Sequence, residues 1–193
     1  MSIPIPFKIT VCGLDELPGH CEGGVTHVLS ILDPDWPVPD AFDSFGEHER
    51  FELRFHDVIE QFPGVIPPRE EHVAQLLAFG KRLVAEPPPG AHLLVHCYAG
   101  VSRSTASMIL MVAQVQPERT ASSVAQEILR LRPQAWPNLR IIEMGDAQLG
   151  RGDELVEAAA AIYREQLVRR PEMARSMTDG GRGREVALSR RLT

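Results

Sequence analysis

The sequence predicts an α/β fold with a parallel sheet at its centre, on three observations. Val25 to Leu32 (VTHVLSIL) and Ala91 to His96 (AHLLVH) are short, β-rich apolar runs, the pattern of strands buried on both faces. Between them, Arg69 to Ala85 places Val73, Leu76, Leu77, Phe79, Leu83 and Val84 at near-helical spacing. Proline and glycine separate the elements, with Pro63, Gly64, Pro67 and Pro68 before the helix and Pro87-Pro88-Pro89-Gly90 after it. Strand, helix and strand with such breaks form a βαβ unit, which favours parallel strands.

The remaining elements follow in order. Phe7 to Cys12 is a first strand, closed by Gly13 and Pro18-Gly19. The run ending at Leu32 stops at Asp33-Pro34-Asp35-Trp36-Pro37, which cannot continue a ladder. Phe51 to Phe55 (FELRF) alternates apolar and polar residues as a short strand does. After Cys97 the chain turns through Gly100 into a helix over Ser104 to Val115. A further helix starts with Thr120 as N-cap and runs to about Leu131. Pro133, Trp136 and Pro137 mark a loop, followed by helices from about Asn138 to Ala147 and Asp153 to Val168. Residues 1–168 read as one domain, and 169–193 as a polar, Arg-rich tail with little apolar patterning.

Length fits a single domain, since 193 residues lie within the usual range of roughly 100–200. The net charge of -6 argues against a nucleic-acid surface, which needs a basic patch. No apolar run approaches the roughly 20 residues needed to span a bilayer, and the N-terminus lacks a signal-peptide pattern. No membrane partner is expected, and oligomeric state is not legible. Cys12, Cys21 and Cys97 are too few and too scattered for a disulfide scaffold, so a reducing cytoplasm is the expected compartment. With His20 and His27 the cysteines match no zinc spacing. No metal or other cofactor is expected.

Chemistry concentrates at LLVHCYAGVSRS, residues 93–104. Cys97 ends a buried strand and Arg103 begins a helix, with five residues between them. A loop of that length wraps one small anion, using the unpartnered N–H groups and positive dipole end of a helix N-terminus. The same field stabilises a thiolate, the nucleophilic form of cysteine. Gly100 permits close backbone approach. Arg103 offers a planar fork for two phosphate oxygens. Ser104 supplies a hydroxyl that can donate to the sulfur.

This segment resembles the HCxxGxxR(S/T) signature of the cysteine-based protein tyrosine phosphatases, especially the small dual-specificity group. VTHVLSIL is similar to an early strand of that family, and Leu131 to Leu139, with Trp136-Pro137-Asn138, to the segment that packs behind its phosphate loop. The resemblance covers roughly residues 7–149. It implies a mostly parallel sheet of four or five strands flanked by helices. It also implies that Cys97 is the nucleophile, that Arg103 binds phosphate in ground and transition states, and that Ser104 assists breakdown of a phosphoenzyme. His96 would hydrogen-bond nearby backbone and help keep the thiol ionised. Tyr98, Ala99, Gly100, Val101 and Ser102 would line the phosphate site.

A phenolate or alkoxide leaving group needs a proton, which the family takes from an Asp on a separate loop. Asp57 is the first candidate, because it follows the FELRF strand and so lies at a strand end, where α/β proteins bind ligands. The insert Glu60 to Ile66 leaves the register open, with Glu60 the second candidate and Asp35 and Asp43 further alternatives. His56 would tune the acid or touch substrate. Phe62, Val65 and Ile66 would line the pocket or anchor their loop. None of the five residues between Cys97 and Arg103 is Lys or Arg. This favours one phosphoryl group, such as phosphotyrosine in a protein, over a polyphosphorylated ligand. Two alternatives stay open: a phosphatase of a small metabolite, lipid or nucleotide, and a phosphate-binding module without turnover.

Overall fold

In the computed structural model, Ile5 and residues 7–191 are described. Four strands form one sheet: β1 (Lys8–Cys12), β2 (His27–Leu32), β3 (Glu49–Arg54) and β4 (His92–His96), in the order β1-β4-β2-β3. Every neighbouring pair is parallel, with Cys12 opposite His96, Ser30 opposite His96, and Leu32 opposite Arg54. Parallel strands end at a common edge, so Gly13, Asp33, Phe55 and Cys97 all emerge on the same side of the molecule. The central β4 is flanked by strands from earlier in the chain, and such a position opens a crevice at the carboxyl edge.

The two faces are covered differently. Leu29, Ile31, Leu53, Phe55, Leu93 and Val95 point into the main core. That core also takes the apolar stripes of α1 (Glu70–Ala85), α2 (Arg103–Val115), α3 (Ala121–Leu131), α4 (Leu139–Leu149) and α5 (Glu154–Arg169). The alternate residues Cys12, Val28 and Leu94 face a smaller cluster with Leu17, Phe42 and Phe45. Two short 3-10 helices, Leu14–His20 and Asp40–Ser44, supply those covers. The period-two alternation of a strand produces this division.

Local signals explain the helix ends. Thr120 Oγ1 accepts from the Ser123 N–H at 3.2 Å and Asn138 Oδ1 from the Ile141 N–H at 3.2 Å, each capping its helix. Gly150 takes the left-handed conformation that closes α4.

The stretch beyond Arg169 departs from the expected polar tail. It forms α6 (Met173–Met177), a π-turn over Thr178–Arg182 and α7 (Gly183–Ser189). α7 packs on α5 and buries Glu185, Val186 and Ser189. The physical reason is that this segment fully buries few side chains, among them Glu185 paired with Arg182, and sets only scattered apolar residues such as Met173, Met177 and Leu188 against the core. Apolar periodicity does not reveal such packing. Among the described residues, no helix is long and apolar enough to cross a membrane.

Candidate active site

A cleft of about 700 Å³ opens at the carboxyl edge of the sheet, lined among others by Asp33, Trp36, Asp57, Cys97, Arg103 and Arg182. Cys97 lies at its floor with 2% of its surface exposed. Its Sγ is 3.2 Å from Ser104 Oγ, so the hydroxyl sits where the sequence places it. Cys12, beside His96 in the sheet, is different. Burial pushes its thiol up to about 12, which keeps it protonated. All three cysteines are free.

The loop from Cys97 to Ser102 is held from behind. Gly100 has φ +67, and a Cβ there would lie 2.4 Å from the carbonyl carbon of Cys12. Glycine is therefore required by the close approach of β1 as well as by the backbone angle. Arg132 braces the outer side, its Nε donating to Gly100 O at 2.9 Å and its Nη2 to Ala99 O at 3.0 Å. Glu16 anchors Arg132 through Nη1 at 2.7 Å and also accepts from the Gly13 N–H at 2.6 Å. The guanidinium holds the Glu16 carboxyl below its usual pKa, against a smaller opposing effect of burial. The Trp136 N–H donates to Val101 O at 2.9 Å and the Asn138 N–H to Ser102 O at 3.3 Å. With these carbonyls drawn outward, the main-chain N–H groups of residues 98–102 have no acceptor among the described residues. An arc of free N–H groups at the start of α2 is an anion cradle.

Arg103 is fixed on one side only. Its Nη1 donates to Asp33 Oδ1 and to Phe55 O, both at 2.6 Å. Its Nε is buried without a partner. The Nε–Nη2 edge is thus left to grip two phosphate oxygens, which is the bidentate geometry of arginine. Asp33 is a residue that sequence reasoning missed. Its side chain is 43% exposed, against 3% for Arg103, so it orients the guanidinium from the rim.

Asp57 lines the same cleft as Cys97. Its Oδ1 accepts from Ser102 Oγ at 2.7 Å and from Asn138 Nδ2 at 2.8 Å. Its Oδ2 has one longer contact, to Arg182 Nη1 at 3.4 Å. The other acid candidates lie elsewhere: Glu60 pairs with Arg184 at 3.3 Å, and Asp35 and Asp43 are exposed residues outside the cleft lining. His56 lines the cleft, and its Nδ1 accepts from the Ile66 N–H at 3.0 Å. Phe62, Val65 and Ile66 form a separate shallow depression, so they are not cleft walls.

The His96 ring is fully buried against Phe42, directly behind the loop. Burial pushes its pKa down to about 4, against a smaller opposing effect of its contact with the Cys97 main chain. Asn138, Met173, Met177 and Arg182 were also missed. All converge on the cleft or on Asp57 from beyond the phosphate loop.

Neither a protein-family model nor a curated protein sequence matches the chain. Solved structures do match it. Human DUSP28 superposes with a TM-score of 0.53 at 18% identity, over 78% of this chain and 94% of that one. Cydia pomonella PTP-2 phosphatase gives 0.57 at 16%, over 76% and 88%. PTPMT1 in complex with PI(5)P gives 0.52 at 13%, over 76% and 93%. A four-stranded parallel sheet, a helix springing from the Cys97–Arg103 loop, and these superpositions agree: the chain has the fold of the small, dual-specificity-type cysteine phosphatases.

Proposed function

We propose that this protein hydrolyses phosphate monoesters through a phosphocysteine at Cys97, with phosphotyrosine in proteins as the preferred substrate and dual specificity within reach. The observation that carries the reading is the cradle itself. A cysteine sits at the floor of a cleft, inside an arc of unpaired N–H groups, beside an arginine with one edge left open. In the first step the thiolate attacks phosphorus in line and the P–O bond to the leaving group breaks. Asp57 gives that oxygen its proton. Free N–H groups and Arg103 hold the equatorial oxygens, where charge spreads in a loose transition state. Water then attacks the phosphocysteine and passes a proton to Asp57. The S–P bond breaks, and Ser104 donates to the departing thiolate.

Depth favours an aryl phosphate. Cys97 is buried, whereas Trp36 is 39% and Tyr98 57% exposed at the rim, their rings in an edge contact at 5.0 Å. A phosphotyrosine is long enough to reach the floor while its ring lies against Trp36, Met173 and Met177. Charge points the same way. The cleft holds a second cation, Arg182, but the buried Glu185 neutralises it. Among the described residues lining the cleft, no further cation is therefore free for a second phosphate. The PI(5)P bound by PTPMT1 nonetheless makes a phosphorylated lipid the alternative to test. A reducing compartment such as the cytosol suits the free thiols.

The test is metal-free hydrolysis of p-nitrophenyl phosphate, a phosphotyrosine peptide and PI(5)P, wild type beside Cys97→Ser. Turnover of the first two by wild type only, unaffected by chelator, supports the proposal. Turnover of the lipid alone moves the substrate to the alternative class. No turnover in reduced, folded protein that still binds phosphate leaves a binding module.

A further inference from the structure

The C-terminal segment does more than cover α5. Its Arg182 projects into the cleft, where Nη2 donates to Ser102 Oγ at 2.9 Å and Nη1 approaches Asp57 Oδ2 at 3.4 Å. Behind it, Nε and Nη2 grip the two oxygens of Glu185, each at 2.8 Å. Glu185 is fully buried and also accepts from the Leu139 N–H at 3.0 Å and from Trp136 Nε1 at 2.5 Å. Those last two residues belong to the segment whose main chain draws the Val101 and Ser102 carbonyls outward. One network therefore joins the acid, the phosphate loop and α7.

We propose that Arg182 is a positioning residue for the proton donor, so that the C-terminal segment completes the active site. The inference rests on the reading of Asp57 as general acid. The geometry separates the two carboxyl oxygens. Ser102 and Asn138 both donate to Oδ1, at 2.7 and 2.8 Å, which fixes the plane of the group. Oδ2 has only the longer Arg182 contact, so it is the oxygen with room for a proton and a leaving group. As that proton departs, negative charge appears on Oδ2 beside a guanidinium that Glu185 prevents from swinging away. Electrostatic help of this kind is strongest when the donor is already in place and needs no reorganisation. Two further contacts hold the same loop to the same segment. Arg184 bridges Glu60 and Glu143, and the Phe62 ring lies against Gly181.

The experiment measures kcat and KM for p-nitrophenyl phosphate, a good leaving group, and phenyl phosphate, a poor one. Wild type is compared with Arg182→Gln, Arg182→Lys, Asp57→Asn and the Asp57→Asn/Arg182→Gln double variant. General acids contribute about 100-fold or more, and misplacing one forfeits part of that. Arg182→Gln is therefore expected to lower kcat for phenyl phosphate about tenfold and for p-nitrophenyl phosphate less than about twofold, with KM unchanged. The double variant should match Asp57→Asn alone, because Arg182 acts through Asp57. Arg182→Lys keeps a charge beside Glu185 if the glutamine variant fails to fold. An ammonium cannot span Glu185 and Asp57 together, so the same discrimination is expected at about threefold. Equal losses on both substrates in Arg182→Gln, losses that multiply in the double variant, or a lysine variant indistinguishable from wild type would overturn the inference while leaving Asp57 as the acid. Equal losses on both substrates in Asp57→Asn would remove the acid assignment, and the inference with it.

Discussion

At the scale of single residues, the site is a set of atoms whose partners are assigned on one side and left open on the other. Cys97→Ser replaces the proposed nucleophile but leaves the cradle, so turnover should vanish while phosphate still binds; phosphate titration followed by NMR or calorimetry checks this. Gly100 is the least replaceable position in the loop. An alanine there meets Cys12 at 2.4 Å with φ +67. Gly100→Ala should cost more than the roughly 1–2 kcal/mol of the left-handed conformation alone, read as a drop in urea midpoint together with loss of activity. Much of this scale was legible in the sequence. Cys97 and Asp57 follow strand ends and Arg103 and Ser104 open a helix, and such boundaries can be read from local pattern. Asp33 was not legible, because its partner is 70 residues away and a carboxylate after a strand looks like any turn residue.

At the scale of elements, the phosphate loop is a rigid unit braced by three others: β1 through Cys12, the first 3-10 helix through Glu16, and the α3–α4 connection through Arg132, Trp136 and Asn138. Arg132→Ala removes the donors that turn the Ala99 and Gly100 carbonyls outward. It should lower kcat/KM for any phosphomonoester by about one order of magnitude or more, as expected when preorganised donors are lost. Good and poor leaving groups should suffer alike, which distinguishes this effect from that of Arg182. The strands and α-helices up to Arg169 follow from periodicity and caps, with boundaries shifted by one or two residues, whereas the 3-10 helices Leu14–His20 and Asp40–Ser44 do not. The elements after Arg169 do not. α6 offers the pair Met173 and Met177 at i, i+4, and α7 contributes little apolar surface beyond Val186. They are held by a few scattered apolar contacts, Met173, Met177, Val186 and Leu188 on the main core, together with the buried Arg182–Glu185 pair, and neither leaves a clear periodic trace. Ending the chain at Arg170 would strand Trp136 Nε1 and the Leu139 N–H without an acceptor, at about 1–3 kcal/mol for each buried group. A lower thermal midpoint is the expected outcome.

At the scale of the whole molecule, four histidines make stability fall on the acid side, and among the described residues only Glu185, whose carboxyl is pushed up by burial, works against them. Burial lowers the pKa of His96 to about 4 and also lowers those of His27, His72 and His92. A histidine whose folded pKa lies below its unfolded value, about 6.5, binds a proton more readily when unfolded. Stability is therefore full above that pH and is lost as pH falls towards 4. Glu16, held low by Arg132, adds a loss in the same direction at lower pH. Urea midpoints should decline from pH 7 to 4, and His96→Asn should remove about one proton from the uptake on unfolding. The sheet order also belongs to this scale. A βαβ unit predicts parallel strands, but the placement of β4 between β1 and β2 is set by long-range packing. The way Arg103 is held has a further consequence. Its guanidinium is locked by Asp33 and Phe55 before any ligand arrives, so little side-chain entropy is lost on binding, a saving of about 0.5–1.5 kcal/mol. The same saving applies to free orthophosphate. Under the proposed reaction, free orthophosphate should therefore compete with substrate for the site, so that turnover tracks the ambient phosphate pool as well as the supply of substrate.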